Sequence, residues 1–304
     1  MTELPQTVRI REVGPRDGLQ NEPEVLATKT KLDLIKRLVR AGFKRIELTS
    51  FVRSDVIPQL ADAPWVLDAL ELPESVCASV LIPNEKGLNM ALKHRDKFQQ
   101  INGFLSASET HNQHNVGRSI AESLSDLGKT FGRAQAENLK VEAVISTSFG
   151  CPYEGRVPVE RVLAIAQELA AAGAQEVGFG DTTGMANPLQ VRDFFERARA
   201  ALPGVELTAH FHNTRGQGLA NVLAALEAGI DSFESSFGEL GGCPVPAGAT
   251  GNIASEDLVS MLEQMGIATG VDLAVLIEAA RAAQEALGRK LGSHVLRAGP
   301  VDWQ

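Results

Sequence analysis

The chain alternates short runs of mainly apolar residues with longer segments of helical periodicity. The runs predict eight strands, at residues 8–13, 45–49, 76–82, 100–106, 140–146, 176–179, 206–211 and 231–235. Amphipathic segments such as 30–41 and 159–172 lie between them and predict helices. Ala-Gly pairs at 41–42, 172–173 and 228–229 end three of these helices just before the next strand.

This order of elements predicts an α/β fold, a (β/α)8 TIM barrel. An open doubly wound sheet is the alternative, but it would place a Gly-x-Gly-x-x-Gly turn after the first strand, and Gly14 to Gly18 read GPRDG. From about residue 257 the pattern is helical. We therefore expect residues 1–304 to form a single catalytic domain, with the barrel at about 8–256 and extra C-terminal helices at about 257–304.

Composition excludes several classes of function. The apolar content of 44% and charged content of 22% are those of an ordinary globular protein. A net charge of −9 argues against nucleic acid or an anionic membrane as the main partner. No apolar run approaches the ~20 residues of a membrane span, and the first six residues lack a signal-peptide pattern. Three cysteines are too few for a disulfide framework, so we expect a cytoplasmic location.

Two histidines near the end of the predicted seventh strand introduce the candidate chemistry. Side chains two residues apart in a strand project to the same side, so His210 and His212 are expected about 7 Å apart along the backbone. Neutral imidazoles side by side supply half of a divalent-metal site. Taken alone, the pair is equally consistent with surface or core histidines.

Other polar residues follow the ends of other predicted strands, where such barrels carry their active sites. They are Arg16, Asp17, Glu47, Ser50, Asp181, Cys243 and Asn252. Each has an ordinary structural explanation: the pair of residues 17 and 18 is a common turn, Glu47 could pair with an arginine, and a free cysteine is usually a small buried apolar residue. Convergence of all of them at one end of the barrel favours one shared site.

The residue types limit what this site could do. A carboxylate, an amide oxygen and two imidazole nitrogens, completed by two substrate oxygens, form the six-coordinate shell that Mg²⁺ or Mn²⁺ prefers. Arg16 suits a carbonyl or enolate oxygen because it stays charged and presents several donors. Cys243, in a glycine-rich loop, could act as an acid–base group once substrate binds. This equipment suits the making or breaking of a carbon–carbon bond beside a carbonyl.

Several long motifs resemble those of 3-hydroxy-3-methylglutaryl-coenzyme A (HMG-CoA) lyases. They are EVGPRDGLQNE at 12–22, TSFV at 49–52, GCPYEG at 150–155, GDT at 180–182, and GGCP at 241–244 with GN at 251–252. The resemblance extends from about residue 8 to residue 292. These lyases belong to a group of metal-dependent barrel enzymes marked by Arg-Asp after the first strand and Glu after the second.

The resemblance implies specific roles for residues of this chain. The metal ligands would be Asp17, His210, His212 and Asn252. Arg16 would hold the acyl carbonyl or enolate, Glu47 would orient its neighbours, and Cys243 would be catalytic on a mobile loop. Ser50 and Asp181 would contact substrate, and Glu256 is a weaker assignment.

The resemblance also implies the reaction. An acyl-CoA with a 3-hydroxyl group would undergo retro-Claisen cleavage with Mg²⁺ or Mn²⁺, giving acetyl-CoA and a keto acid, as in leucine degradation. His210 or Asp17 would remove the hydroxyl proton, and Cys243 would protonate the acetyl-CoA enolate. We also expect a homo-oligomer, most simply a dimer.

Three alternatives stay open at the level of sequence. Claisen-condensing synthases, such as isopropylmalate and homocitrate synthases, share the Arg-Asp and His-x-His patterns but carry Gly-Glu-Arg where this chain has GGCP. A barrel that binds acyl-CoA without turnover is the second. The third is a lyase for another substrate, such as citramalyl-CoA, because the lyase pattern changes at Gly178, Arg215, Glu239 and His111. We expect His111 and the nearby His114 to be solvent-facing loop residues.

Overall fold

The computed structural model describes residues 4–242 and 250–302. Eight parallel strands close into a barrel in sequence order, and the last pairs with the first. The strands are β1 Arg9–Glu12, β2 Arg45–Ser50, β3 Cys77–Leu81, β4 Gln100–Ser106, β5 Lys140–Ser146, β6 Glu176–Asp181, β7 Glu206–Phe211 and β8 Ser232–Ser235. The predicted (β/α)8 barrel is confirmed, and the predicted bounds of β4, β5 and β7 are the observed ones.

Helices cover the outside of the barrel and continue beyond its last strand. They are α1 Thr28–Arg40, α2 Ala63–Ala69, α3 Glu85–Ala91, α4 Glu109–Val116, α5 Ile120–Ala136, α6 Val159–Ala171, α7 Pro188–Ala201, α8 Gly218–Glu227, α9 Ser255–Gln264, α10 Leu273–Leu287 and α11 His294–Ala298. Helix α10 packs against α1, so the C-terminal helices lie on the barrel. Across the described ranges, no helix has both the length and the apolar character needed to cross a bilayer.

The interior of the barrel is charged rather than apolar below its C-terminal rim. Arg11, on β1, is buried and donates hydrogen bonds to three carboxylates. Its Nη1 bonds Glu142 of β5 and, at 2.8 Å, Oε1 of Glu234 of β8, while its Nη2 lies 2.9 Å from Oε2 of Glu176 of β6. Buried charges are tolerated only when paired in this way. The apolar core therefore lies mainly between the strands and the surrounding helices.

Close packing of α5 on β4 gives a test of this core. A Cβ at Gly103 would lie 2.6 Å from Cε1 of the buried Phe131 and 2.9 Å from Cδ2 of Leu127. We expect Gly103→Ala to lower the free energy of unfolding by ~1–3 kcal/mol, the usual cost of overpacking. Urea denaturation measures it.

Gly132→Ala is the matched control, because Gly132 is exposed on the same helix and its Cβ would meet nothing within 4 Å. There, alanine should stabilise the helix by ~0.5–1 kcal/mol. Equal stability for wild type and Gly103→Ala would contradict the packing of α5 on β4 described above.

Candidate active site and metal centre

A tight turn directly after β1 places Arg16 and Asp17 at the rim. The backbone N–H groups of both residues and of Gly18 donate to the carbonyl oxygen of Val13, which closes a single π-helical turn over Gly14–Gly18. The turn also packs closely on the segment after β8, since a Cβ at Gly14 would lie 2.4 Å from the ring of Phe237. The glycines of this motif therefore let the turn sit against the rim.

Arg16 is held between two carboxylates. Its Nε donates to Oε2 of Glu47 at 2.6 Å, and its Nη1 donates to Oδ1 of Asp17 at 2.6 Å. The other oxygen of Glu47 accepts a bond from Nδ2 of Asn102 at 2.9 Å. Burial raises the pKa of Glu47 above its usual value, although Arg16 acts in the opposite direction. These bonds fix the orientation of the guanidinium, and the role of Glu47 in catalysis stays a prediction.

The end of β7 brings the two histidines and Asn252 together. His210 is the fifth residue of the strand and His212 follows its end. The chain returns past them in the opposite direction: His212 and Asn252 form an isolated bridge, and the N–H of Ile253 donates to the carbonyl of Phe211 at 3.0 Å. Asn252 Nδ2 donates to Asp17 Oδ2 at 2.7 Å, which joins the far end of the chain to the first turn.

Three of the four predicted ligands form one compact cluster. A carboxylate oxygen of Asp17 and one nitrogen from each of His210 and His212 all lie within 4.8 Å of one another. Both imidazoles are buried. The fourth predicted ligand, Asn252, contacts Asp17 directly. Asp17 and Asn252 are 235 positions apart in the sequence, and closure of the barrel brings them together.

The arrangement of protons in this cluster favours a cation. His210 Nδ1 donates to Oε2 of Glu234 at 2.8 Å, so Nε2 of a neutral His210 carries a lone pair. That atom lies 3.0 Å from Nε2 of His212. Among the described residues, the buried Oδ1 of Asn252 accepts no hydrogen bond. The lone pair of His210 Nε2 lies beside a second imidazole and a carboxylate, and the buried oxygen of Asn252 has no partner, so these residues fit a divalent-metal site.

The charges of the cluster also suit metal binding. Burial opposes ionisation of Asp17, but Arg16 and the two imidazoles outweigh it and lower its pKa to about 2. Burial, together with the neighbouring His210, lowers the pKa of His212 to about 3. Near neutral pH the carboxylate is therefore ionised and His212 is neutral, which are the forms that bind cations.

The two further residues predicted to contact substrate lie at the same rim. Ser50 ends β2 and is buried; its Oγ has no hydrogen-bond partner among the residues described. Asp181 ends β6, and its Oδ1 accepts bonds from the N–H groups of Met185 and Ala186 at 2.8 and 3.1 Å, which shapes the following loop. Burial raises its pKa to about 7. Their contact with substrate stays a prediction.

Cys243 and the weaker assignment Glu256 come from the glycine-rich segment of the sequence and the helix after it. Cys243 is outside the described residues, so its catalytic role also stays a prediction. Glu256, on α9, is buried, and both of its carboxylate oxygens accept a bond from the N–H of Gly238, at 2.9 and 3.0 Å. Within the described part of the chain, Glu256 therefore holds the backbone at Gly238, where the glycine-rich loop begins.

Three positions that differ from the lyase pattern have defined surroundings in the structure. His111 is buried in α4, and its ring centroid lies 6.3 Å from that of Tyr153, so the expectation of a solvent-facing loop residue is wrong for His111. A Cβ at Gly178 would face Glu142, 3.2 Å away, inside the barrel. Arg215 Nη1 donates to the backbone carbonyls of Thr183 and Gly184 at 2.8 and 2.9 Å.

Two residues that hold the site in place were missed from the sequence. Glu234 accepts the bond from His210, and Asn102 donates to Glu47. Both lie within predicted strands, at positions whose side chains project into the barrel. A charged or amide residue inside a strand of a closed barrel is unusual, and that was the available signal.

The buried carboxyl of Glu256 gives a pH-dependent prediction. Burial raises its pKa from 4.5 to about 8, so between these values the folded protein retains a proton that the unfolded chain releases. Its contribution to stability is therefore complete below about pH 4.5 and is lost as the pH rises to about 8. Relative to wild type, the free energy of unfolding of Glu256→Gln should rise by up to ~1.4 kcal/mol per pH unit in this window.

Urea denaturation of the metal-free protein across this window measures the difference. Glu160→Gln is the control, because Glu160 is exposed and its side-chain bond to Arg197 lowers its pKa. That substitution should lower stability by a constant amount across the window, because the folded and unfolded states differ in protonation of Glu160 only below about pH 4.5. Parallel pH profiles for wild type and Glu256→Gln would show that Glu256 is ionised in the folded protein.

Comparison with known proteins places these features in a family. The sequence profile of the HMGL-like family matches residues 7–282. The hydroxymethylglutaryl-CoA lyase YngG of Bacillus subtilis is 45% identical over 293 residues, 96% of this chain and 97% of that protein. An (R)-citramalyl-CoA lyase of Chloroflexus aurantiacus is 40% identical over 310 residues, 97% and 96% of the two chains.

A solved structure agrees with the fold. The HMG-CoA lyase of Acinetobacter baumannii, in complex with coenzyme A and 3-methylmalate, superposes with a TM-score of 0.94 at 39% identity. The match covers 100% of this chain and 99% of that one.

Proposed function

The chain belongs to the HMGL-like family, and we propose that it is a divalent-metal-dependent lyase that cleaves HMG-CoA to acetyl-CoA and acetoacetate. The observation that carries the proposal is the cluster of Asp17, His210 and His212 at the C-terminal rim of the barrel. The HMG-CoA lyase identity of full-length relatives and the coenzyme A bound to one of them support an acyl-CoA substrate.

Asp17, His210 and His212 would hold Mg²⁺ or Mn²⁺, with Asn252 as the fourth ligand. These ions suit a site with carboxylate and amide oxygens that leaves positions for substrate oxygens. When bound, such a cation stabilises negative charge on oxygen. Asp17 is already ionised at neutral pH, and His210 is oriented by Glu234, so the protein supplies an organised set of ligands.

Besides the metal ligands' role in holding the cation, the site supplies a base, a guanidinium and a proton donor for the cleavage. Of the two predicted bases, Asp17 takes the proton of the 3-hydroxyl group, because a His210 that holds the cation through Nε2 and donates from Nδ1 has no nitrogen free to accept it. The electron pair of the broken carbon–carbon bond moves into the thioester. Arg16 stays protonated, and its guanidinium, fixed by Glu47, stabilises the resulting enolate oxygen. Cys243 would then protonate the enolate carbon to give acetyl-CoA.

A second substrate is favoured by one specific observation. The (R)-citramalyl-CoA lyase is almost as similar to this chain as the HMG-CoA lyase, at 40% against 45% identity. Both substrates place a tertiary hydroxyl group beside a carbon–carbon bond that leads to a thioester, so the same cluster serves both. The two would be distinguished by the lining of the pocket rather than by the metal ligands.

A panel of thioesters tests the proposal. The purified protein with Mg²⁺ is incubated with HMG-CoA and, separately, with citramalyl-CoA, and acetyl-CoA is measured by mass spectrometry. We expect release from HMG-CoA at a higher kcat/KM than from citramalyl-CoA. A reversed order would assign the citramalyl-CoA activity instead.

Variants and the reverse assay complete the test. Cys243→Ala should release little acetyl-CoA, because the enolate loses its proton donor; general acids contribute ~10²–10⁴-fold. Cys77→Ala is the matched control, since Cys77 starts β3 and belongs to no part of the proposed site. Binding of both thioesters without product would indicate a non-catalytic acyl-CoA-binding barrel. Net condensation of acetyl-CoA with a 2-oxo acid would indicate a synthase.

Three broader properties belong to the same proposal. Residues 1–304 would form one catalytic domain, since one apolar cluster includes side chains from the barrel and from the C-terminal helices. The protein would act in the cytoplasm, as expected from the cysteine content and charge. It would assemble as a homodimer, which sedimentation of the purified protein would test.

A further inference from the structure

A buried path of ionic contacts links His210 to the interior of the barrel. Glu234 of β8 uses its two carboxylate oxygens for different partners. Oε2 accepts a hydrogen bond from His210 Nδ1 at 2.8 Å, and Oε1 accepts one from Arg11 Nη1 at 2.8 Å. Arg11 and Glu234 are both buried. A carboxylate anchored at both oxygens cannot rotate away from the imidazole without losing a charged bond.

Arg11 is itself fixed independently of Glu234. Its guanidinium also bonds Glu142 of β5 and Glu176 of β6. Gln100 Nε2 reaches Oε2 of both of these carboxylates, at 3.3 and 3.2 Å. The anchor is therefore tied to β1, β5 and β6, and Glu234 connects it to the metal cluster.

This geometry determines which nitrogen of His210 is free. A neutral imidazole carries one N–H, and the carboxylate of Glu234 can only accept a hydrogen bond. The proton of His210 must therefore reside on Nδ1, which leaves the lone pair on Nε2. Nε2 is the atom that lies 3.0 Å from Nε2 of His212. A metal-binding imidazole requires this arrangement of proton and lone pair.

We propose that Glu234 is a positioning residue that fixes the Nδ1–H form of His210, and that Arg11 holds Glu234 in the orientation this requires. The proposal rests on the proposed function only in taking Nε2 of His210 as a ligand of a divalent cation. A stability role is a weaker explanation, because buried ion pairs are often no more stabilising than well-packed apolar side chains.

Glu234→Gln makes the sharpest test, because Arg11 dictates how the new amide must lie. The guanidinium has only donors, so the amide oxygen of the glutamine must face Arg11. Its NH₂ group then faces His210, where Nδ1 must accept a bond. The proton of His210 is expected to move to Nε2 and to block the atom that would bind metal.

Two measurements on the metal-free protein read this out. The ¹⁵N chemical shifts of the imidazole nitrogens report which nitrogen carries the proton, with the His210 signals assigned by comparison with His210→Gln. Calorimetry with Mn²⁺ gives the affinity. We expect Nδ1–H in wild type, Nε2–H in Glu234→Gln, and a ~10–100-fold loss of Mn²⁺ affinity in the variant, the usual effect of losing such a partner.

Glu142→Gln is the matched control, and Glu234→Asp is the conservative variant. Glu142 bonds the same arginine and is equally buried but does not contact His210, so its substitution should leave the Nδ1–H form and Mn²⁺ affinity close to wild type. Glu234→Asp keeps a carboxylate, which can only accept a hydrogen bond, so the variant should keep the Nδ1–H form of His210 and bind Mn²⁺ more tightly than Glu234→Gln.

Several results would overturn the proposal. Nε2–H in wild-type His210 would do so without any variant, even if Glu234→Gln failed to fold. So would an unchanged tautomer in a folded Glu234→Gln, or an equal loss of Mn²⁺ affinity in Glu142→Gln. Failure of wild type to bind Mn²⁺ while His210 keeps Nδ1–H would instead contradict the proposed metal-dependent function.

Discussion

His212→Ala is expected to lower kcat/KM for HMG-CoA by about three orders of magnitude and to weaken Mn²⁺ binding. His212 supplies one of the three clustered ligand atoms, and its Nε2 faces that of His210. Charge stabilisation by a bound cation is worth several kcal/mol, and each 1.4 kcal/mol is tenfold in rate. Steady-state kinetics with a series of Mg²⁺ concentrations, together with Mn²⁺ calorimetry, measures both effects.

The control is another histidine of the same chain. His94→Ala removes an imidazole whose Nδ1 faces Asp68, in the connection between β3 and β4, and should leave kcat/KM near that of wild type. Raising the Mg²⁺ concentration should recover part of the activity of His212→Ala if the loss lies in metal affinity. Full activity of His212→Ala without added metal would remove this residue from the site.

Arg16→Met is expected to affect both stability and rate. The guanidinium is the partner of Glu47, which is completely buried, and of Asp17. Removing one partner of a buried ion pair costs ~3–5 kcal/mol in the free energy of unfolding. Loss of a donor to the developing enolate oxygen should lower kcat by ~10²–10³-fold. Urea denaturation and single-turnover kinetics measure the two effects separately.

A double variant separates these two consequences. In Arg16→Met/Glu47→Gln a neutral amide replaces the buried carboxylate, so most of the lost stability should return. The value of kcat should stay low, because no guanidinium faces the substrate. Recovery of kcat together with stability would mean that Arg16 acts only through the fold. Arg16→Lys should be intermediate in stability, because an ammonium cannot reproduce the two directed bonds to Glu47 and Asp17.

The sequence alone was sufficient for the architecture. Alternation of apolar runs with amphipathic segments depends on local periodicity, and it placed all eight strands, with the bounds of β4, β5 and β7 as observed. The types of the candidate ligands were also readable, because Arg16 and Asp17 follow a strand and the two histidines lie two residues apart. Family resemblance then supplied roles that composition and spacing leave open.

The sequence was less informative about individual side chains. His111 was expected to face solvent, yet it is buried near Tyr153, because that tyrosine of the connection between β5 and α6 lies beside α4. The change at Gly178 was taken to bear on the choice of substrate, yet a Cβ there would lie 3.2 Å from Glu142 inside the barrel. Burial depends on which element covers a residue, and local patterns carry little of that information.

Only the tertiary structure decided which charges meet. Arg11 and Glu234 are 223 residues apart, and Asp17 and Asn252 are 235 apart, so no pattern within a strand or turn pairs them. Closure of the barrel sets β8 beside β1, and the buried interior side chains of β1, β5, β6 and β8 then meet. A buried carboxylate is costly unless it pairs with an arginine or an imidazole, and the pairing of Glu234 with His210 sets the orientation of that imidazole.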